Sequence, residues 1–364
     1  MSDRSPGTDF LTAWRTPEAF LSMTVAQQDL LLRVARQHFL LAAFDARLEQ
    51  AGCREALPVP LQAMLEGIRV FATERERAIR WEINRIQRAF HGTGLPVILL
   101  KGAAYHLRAL PMAKGRITRD VDLLLPAADL ALAEQCLLAQ DWSAALSDPY
   151  DQHYYRQWMH EIPPLRHRRR MSELDLHHAI VPRTSRLKTD ATRLLQAIEP
   201  VAGCVDVWTL CTEDLVLHAV VHLFHDGDFQ GLGLRDLLDL DGLFQHFATQ
   251  EDFWARLLNR AAELNLSRPL DHALHGCARI VRTPIPPEIL RAARQASPAS
   301  RMSRRMLGHL MERVIAPRHP DESHVDPLTA LARSALYLRS HWLRMPLGLL
   351  IPHLARKWAR RWHS

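Results

Sequence analysis

The stretch Arg116-Ile117-Thr118-Arg119-Asp120-Val121-Asp122-Leu123-Leu124-Leu125 decides the reading of this chain. Its second half is an apolar run closed by Pro126, the pattern of a buried strand. Residues i and i+2 of a strand point to one face, so Asp120 and Asp122 project two carboxylates side by side. Adjacent carboxylates repel each other, and burial makes both resist ionisation unless cations compensate. Mg²⁺ supplies that compensation, taking a few carboxylate oxygens and filling its octahedron with water and substrate phosphates. A pair of such ions would activate an attacking hydroxyl and clamp a leaving phosphate. An Asp-x-Asp standing alone also arises by chance at exposed strand ends, so the flanking segments carry the decision.

Upstream, Pro96-Val97-Ile98-Leu99-Leu100 reads as a short buried strand that turns at Lys101-Gly102 into a helix stopped by Pro111. Glycine at that turn permits close backbone approach to a phosphate, and a helix start favours negative charge. Downstream, Ser172-Glu173-Leu174-Asp175-Leu176-His177-His178 alternates, with Glu173, Asp175 and His177 on one face and Leu174, Leu176 and His178 on the other. A third carboxylate on a neighbouring strand can hold a second metal or accept a proton from the attacking group. Arg116 and Arg119 have forks that suit phosphate oxygens, or they pair with the nearby acids.

The order LLKG, then RDVDLLL, then LDLHH resembles the DNA polymerase β-like nucleotidyltransferase superfamily, and more closely its bacterial group of uncharacterised nucleotidyltransferases. His160-Glu161-Ile162-Pro163-Pro164-Leu165 resembles that group's segment before the third carboxylate. Residues 210–243 resemble its helical portion, with His218, His222, Arg235 and Asp236 in matching places. The likeness spans about 92 to 243. It implies Asp120, Asp122 and Asp175 as catalytic metal ligands, two Mg²⁺ ions, and an NTP whose triphosphate lies near Lys101 and Gly102; Arg116 and Arg119, by their forks, are the further candidates for the nucleotide. Where the wider superfamily usually carries Gly-Ser, this chain has Lys-Gly, and eighteen positions separate Gly102 from Asp120. The implied reaction is Mg²⁺-dependent nucleotidyl transfer to an acceptor that could be a small molecule, a peptide, RNA or a protein. A non-catalytic binding module on the same fold (an antitoxin or a biosynthetic-cluster scaffold) and a kinase-like phosphoryl transferase are the other classes in play.

Outside this unit the chain reads as helix. Apolar residues recur at helical spacing over Leu21–Leu40 and Leu61–Phe90, and from 190 onward. The expected fold is α+β: a small mixed sheet at 92–185, between helical regions at 1–91 and 186–364. His218, His222 and His225 lie at i, i+4 and i+7, with Asp226 and Asp228 just beyond; they either line the site or bind Zn²⁺. Arg235 and Asp236, with Asp239 and Asp241, form an intra-helical charged face, or the helix packs on the α/β unit with Arg235 or Asp236 reaching the site.

With 364 residues, 48% hydrophobic and 24% charged, the chain has the composition of a globular protein, and a net charge of +6 does not announce a nucleic-acid binder. Five cysteines without a CxxC pair and no apolar leader point to reduced thiols and a cytoplasmic location. The longest late apolar stretch, 345–354, is broken by Pro346 and Pro352 and is too short to span a membrane. The tail beyond 339, acid-free and carrying Trp342, Trp358 and Trp362 among basic residues, suits an anionic surface or a docked helix.

Overall fold

Thr24 opens one N-terminal helix with a capping box, its hydroxyl accepting from the Gln27 amide at 3.3 Å while the Gln27 side chain accepts from the Thr24 amide at 3.0 Å. In the computed structural model, which describes residues 6–225, 229, 231–320, 326–352 and 356, this helix is the third of five. They are α1 (Pro6–Arg15), α2 (Glu18–Leu21), α3 (Val25–Gln37), α4 (Leu41–Gln50) and α5 (Val59–Phe90). Pro60 at the start of α5 costs nothing, because a first-turn N–H has no helical partner anyway.

The sheet then begins. Its elements run β1 (Val97–Leu99), α6 (Lys101–Leu107), β2 (Asp120–Leu124), α7 (Leu130–Leu138), β3 (Trp142–Ala144), α8 (Pro149–Trp158), β4 (Leu165–His167) and β5 (Glu173–His177). They continue through α9 (Ala191–Leu195), β6 (Ile198–Pro200) and β7 (Val207–Leu210). The strands form one sheet in the order β3-β4-β5-β2-β1-β7-β6. Pairing is parallel between β2 and β5 and between β1 and β7, and antiparallel elsewhere. The architecture is therefore α+β with a mixed sheet between helical regions. The sheet extends beyond residue 185, however: β6 and β7 lie in a stretch that reads as helical from its sequence. Both strands are short, and a three- or four-residue strand shows too little alternation to stand out from flanking helices.

The remaining helices are α10 (Thr212–Phe224), α11 (Gly233–Phe247), α12 (Phe253–Glu263), α13 (Ser267–Gly276), α14 (Pro287–Ala296), α15 (Arg301–Ile315) and α16 (Pro327–Arg344). A π-helical turn, Cys277–Val281, extends α13 and is closed by Arg282 in the left-handed conformation. Residues from the N-terminal helices, the sheet and the C-terminal helices bury together in one continuous apolar core, from Phe10 and Phe44 through Leu123 and Leu176 to Leu243 and Met311. A small second cluster seats Met345 and Leu350 on Tyr154 and Met159 of the α8 region. Among the described residues, no helix is long and apolar enough to cross a membrane.

Helix α5 braces the segments that flank β2 and β5. Arg75 donates to the Thr118 and Arg119 carbonyls at 3.1 and 3.0 Å, fixing the lead into β2. Arg80 donates to the His106 carbonyl at the end of α6 at 2.8 Å. Glu82, only 4% exposed, accepts from Arg170 at 2.6 and 3.0 Å and from Ser172 at 2.6 Å, tying down the hairpin between β4 and β5.

Candidate functional site

Parallel pairing of β2 with β5 puts Asp120 opposite Glu173, Asp122 opposite Asp175 and Leu124 opposite His177. The two strands thus bring Asp122 and Asp175 together at the middle of the sheet. Asp122 is 2% exposed and takes two charged partners on Oδ1: Lys101 Nζ at 2.6 Å and His177 Nε2 at 2.9 Å. Burial opposes its ionisation, yet Lys101 and His177 outweigh burial and hold its carboxyl well below the usual range. Lys101 in turn keeps its proton against burial because Asp122, Glu161 and Asp120 surround it. It adopts a left-handed φ of 46°, an uncommon conformation for a side-chain-bearing residue.

Among the described residues, Asp175 has no such cation of its own. Burial first, then the charges of Asp122 and Glu161, push its pKa up to about 8. Asp120 is likewise raised by burial and by Asp122. Glu173, at the open end of β5, is half exposed and lies 3.8 Å from Arg166. His177 is fully buried; its Nδ1 faces Glu161 at 3.4 Å, and Glu161 and Asp122 raise its pKa against burial. Ligand atoms of Asp122, Asp175 and His177 lie within 4.8 Å of one another, as do those of His160, Glu161 and His177. This set is short of positive charge around Asp175 and mixes carboxylate oxygen with imidazole nitrogen. A divalent cation suits it on both counts.

A cavity of about 180 Å³ opens beside Asp120 and Asp122. Its walls include Lys101, Gly102, Arg116, Arg119, His222 and Asp236. Arg116 is buried, donates to Asp239 and to the Thr118 hydroxyl, both at 2.8 Å, and so spends its fork on protein partners. Arg119 is exposed and stacks over Phe39 at 4.2 Å. Gly102 is required by those neighbours: a Cβ there would collide with the Arg116 guanidinium and lie 2.5 Å from the Thr118 hydroxyl. The close approach that glycine permits in this structure is therefore by side chains.

The charged residues of α11 reach the site: Arg235, Asp236 and Asp239 all line the cavity, with Arg235 on its neighbour Asp236 at 2.8 Å. Asp241 points elsewhere, accepting from Thr283 at 2.7 Å. The three histidines of the α10 run diverge. His218 is buried and kept neutral by burial and by Lys101 and His177. His222 sits 3.7 Å from Asp236, and His225 bonds Ser185 at 2.8 Å. They do not form a metal-binding group among the described residues; Asp226 and Asp228 lie outside those residues. Sequence reading missed Glu161 and Tyr155 as neighbours of Asp175, both from the connection between β3 and β4. Only the resemblance of the segment starting at His160 hinted at Glu161.

A family model described as an uncharacterised nucleotidyltransferase matches residues 24–282, spanning α3 to the π-helical turn. No curated protein and no solved structure matches.

Proposed function

Because the chain belongs to the uncharacterised nucleotidyltransferase family, we propose that its sheet site transfers a nucleotidyl group from an NTP to an acceptor, using divalent metal. The observation that carries this reading is the register of β2 and β5, which sets Asp122 beside Asp175 with Asp120 one pleat away. Asp120, Asp122 and Asp175 would hold Mg²⁺, with His177 close enough to serve or steady a ligand. Bound metal supplies charge for the phosphates and lowers the barrier to attack at the α-phosphate.

The chain's own residues divide the remaining work. Lys101 is a cation held on Asp122 in a site of carboxylates; with metal compensating Asp122, its ammonium would be available to a phosphate oxygen. Asp175, opposite Asp122 on the paired strand, would orient the acceptor or take its proton. Arg119, exposed at the cavity rim, can reach phosphate. Arg116 acts by holding Thr118 and Asp239, which shape the wall.

The test is label transfer. The full chain is incubated with Mg²⁺, each α-labelled NTP and fractionated cell extract. Label should enter one acceptor fraction, and Asp122→Asn should abolish it. Transfer from γ-labelled but not α-labelled NTP would replace this reading with phosphoryl transfer; no transfer and no metal–NTP binding would favour a binding module.

A further inference from the structure

A concentration of positive charge lies away from the sheet. A cavity of about 290 Å³ opens between α13 with its π-helical turn, α14 and α15. Arg279, Arg294, Arg301, Arg304 and Arg305 line it, against Asp271 as the one lining carboxylate. Fully buried Asp271 organises part of this set. Its carboxylate accepts from Arg304 Nε at 2.6 Å, while its backbone carbonyl accepts from His275 Nδ1 at 2.9 Å. His275 Nε2 then accepts from Arg294 at 2.6 Å, since guanidinium can only donate. Two guanidiniums are thereby fixed around the opening before any ligand arrives. Arg279 is held by Glu312 at 2.6 Å. Arg301 and Arg305, one helical turn apart on α15, make no ion pair among the described residues.

The cavity also has an apolar floor, made by Ile280, Leu307 and Met311, each no more than 8% exposed. Gly308 faces this open space: a Cβ there would meet a single atom, Arg279 Nη1, at 3.8 Å, an ordinary contact. The π-helical turn that carries Arg279 and Ile280 is a rare geometry that recurs at functional sites. Since the family match ends at residue 282, α14 and α15 add this cavity to the shared part of the chain.

We propose that this cavity binds a small organic phosphate, with its phosphate on the arginine forks and its apolar body on Ile280, Leu307 and Met311. Arginine forks match phosphate oxygens in pairs. The volume is close to the lower limit of about 300 Å³ for small-molecule sites, and an enclosed apolar floor suits a compact ligand better than an extended polyanion.

The test uses the full chain, in EDTA so that the carboxylate site recruits no phosphate through metal. Calorimetric titration with phenyl phosphate should show one site, tighter than inorganic phosphate. Arg301→Gln with Arg305→Gln should weaken phenyl phosphate at least tenfold. Gly308→Leu should abolish its binding while leaving the melting temperature equal or higher, because it fills open space and removes a helix-interior glycine. Asp122→Asn should bind as the parent does. The proposal is overturned by no binding of phenyl phosphate at millimolar concentration, or by unchanged binding in both cavity variants. It is also overturned if single-stranded RNA binds in its place and Gly308→Leu leaves that binding intact.

Discussion

An alanine at position 102 would drive its Cβ into Arg116 and onto Thr118, so a change of one methyl should be felt across the cavity wall. Gly102→Ala is expected to lower stability by about 1–3 kcal/mol, the usual cost of overpacking, read from urea midpoints. Asp175 gives a pH-dependent expectation. Its folded pKa of about 8 lies above the unfolded value of about 3.9. The native state therefore binds the extra proton in that window, and the contribution of Asp175 to metal-free stability falls as pH rises from about 4 to 8. Asp175→Asn should remove that slope, making the protein more stable than the parent at pH 8 in EDTA and progressively less so toward pH 5. Equal urea midpoints for the two proteins at both pH values would refute the raised pKa. The alternation at 173–177 and the spacing of Asp120 and Asp122 made these carboxylates legible, because strand geometry is local. The contact of Glu161 with His177 and that of Asp239 with Arg116 were hidden for the opposite reason: each comes from another element, and no local pattern records it. The need for Gly102 was visible, but not that Arg116 and Thr118 would fill the space beside it.

Among the elements, the β4–β5 hairpin depends on a partner far away in sequence. Glu82 of α5 satisfies both Arg170 and Ser172, and the Arg-rich turn at 167–170 gives no sign of it. Glu82→Gln leaves Arg170 without its counter-charge in a half-buried place and should cost about 2–4 kcal/mol, measured by chemical denaturation. Arg170→Met in the same background should cost little more, since the pair is already broken. Helices α5, α10 and α11 follow their apolar spacing, which is why the helical regions were readable. Strands β6 and β7 were not, because the pairing of β7 with β1 and of β6 with β7 decides their state and their few residues do not.

For the whole molecule, one apolar core runs through the N-terminal helices, the sheet and the C-terminal helices. Fluorescence and far-UV circular dichroism should therefore report a single coincident urea transition; two separated transitions would show that the core is divided. The end of the chain is also tied in where it is described. Arg186 donates to the Trp342 carbonyl at 2.9 Å and stacks over its ring, while Met345 and Leu350 bury against Tyr154 and Met159. Ending the chain after Arg344 should lower stability by about 3 kcal/mol or more, the scale of two buried apolar side chains. Unchanged stability would mean that the docked segment contributes nothing. The residues beyond 356, basic side chains with Trp358 and Trp362 among them, lie outside the described residues. Helix α5 has a metrological consequence. Arg75, Arg80 and Glu82 grip the lead into β2, the end of α6 and the β4–β5 hairpin from one unbroken rod. The intervals between those grips are therefore set in units of about 1.5 Å per residue, with Arg75 and Glu82 about two turns apart. The rod works as a gauge bar, and inserting one residue between Arg75 and Arg80 would turn its two ends about 100° out of phase.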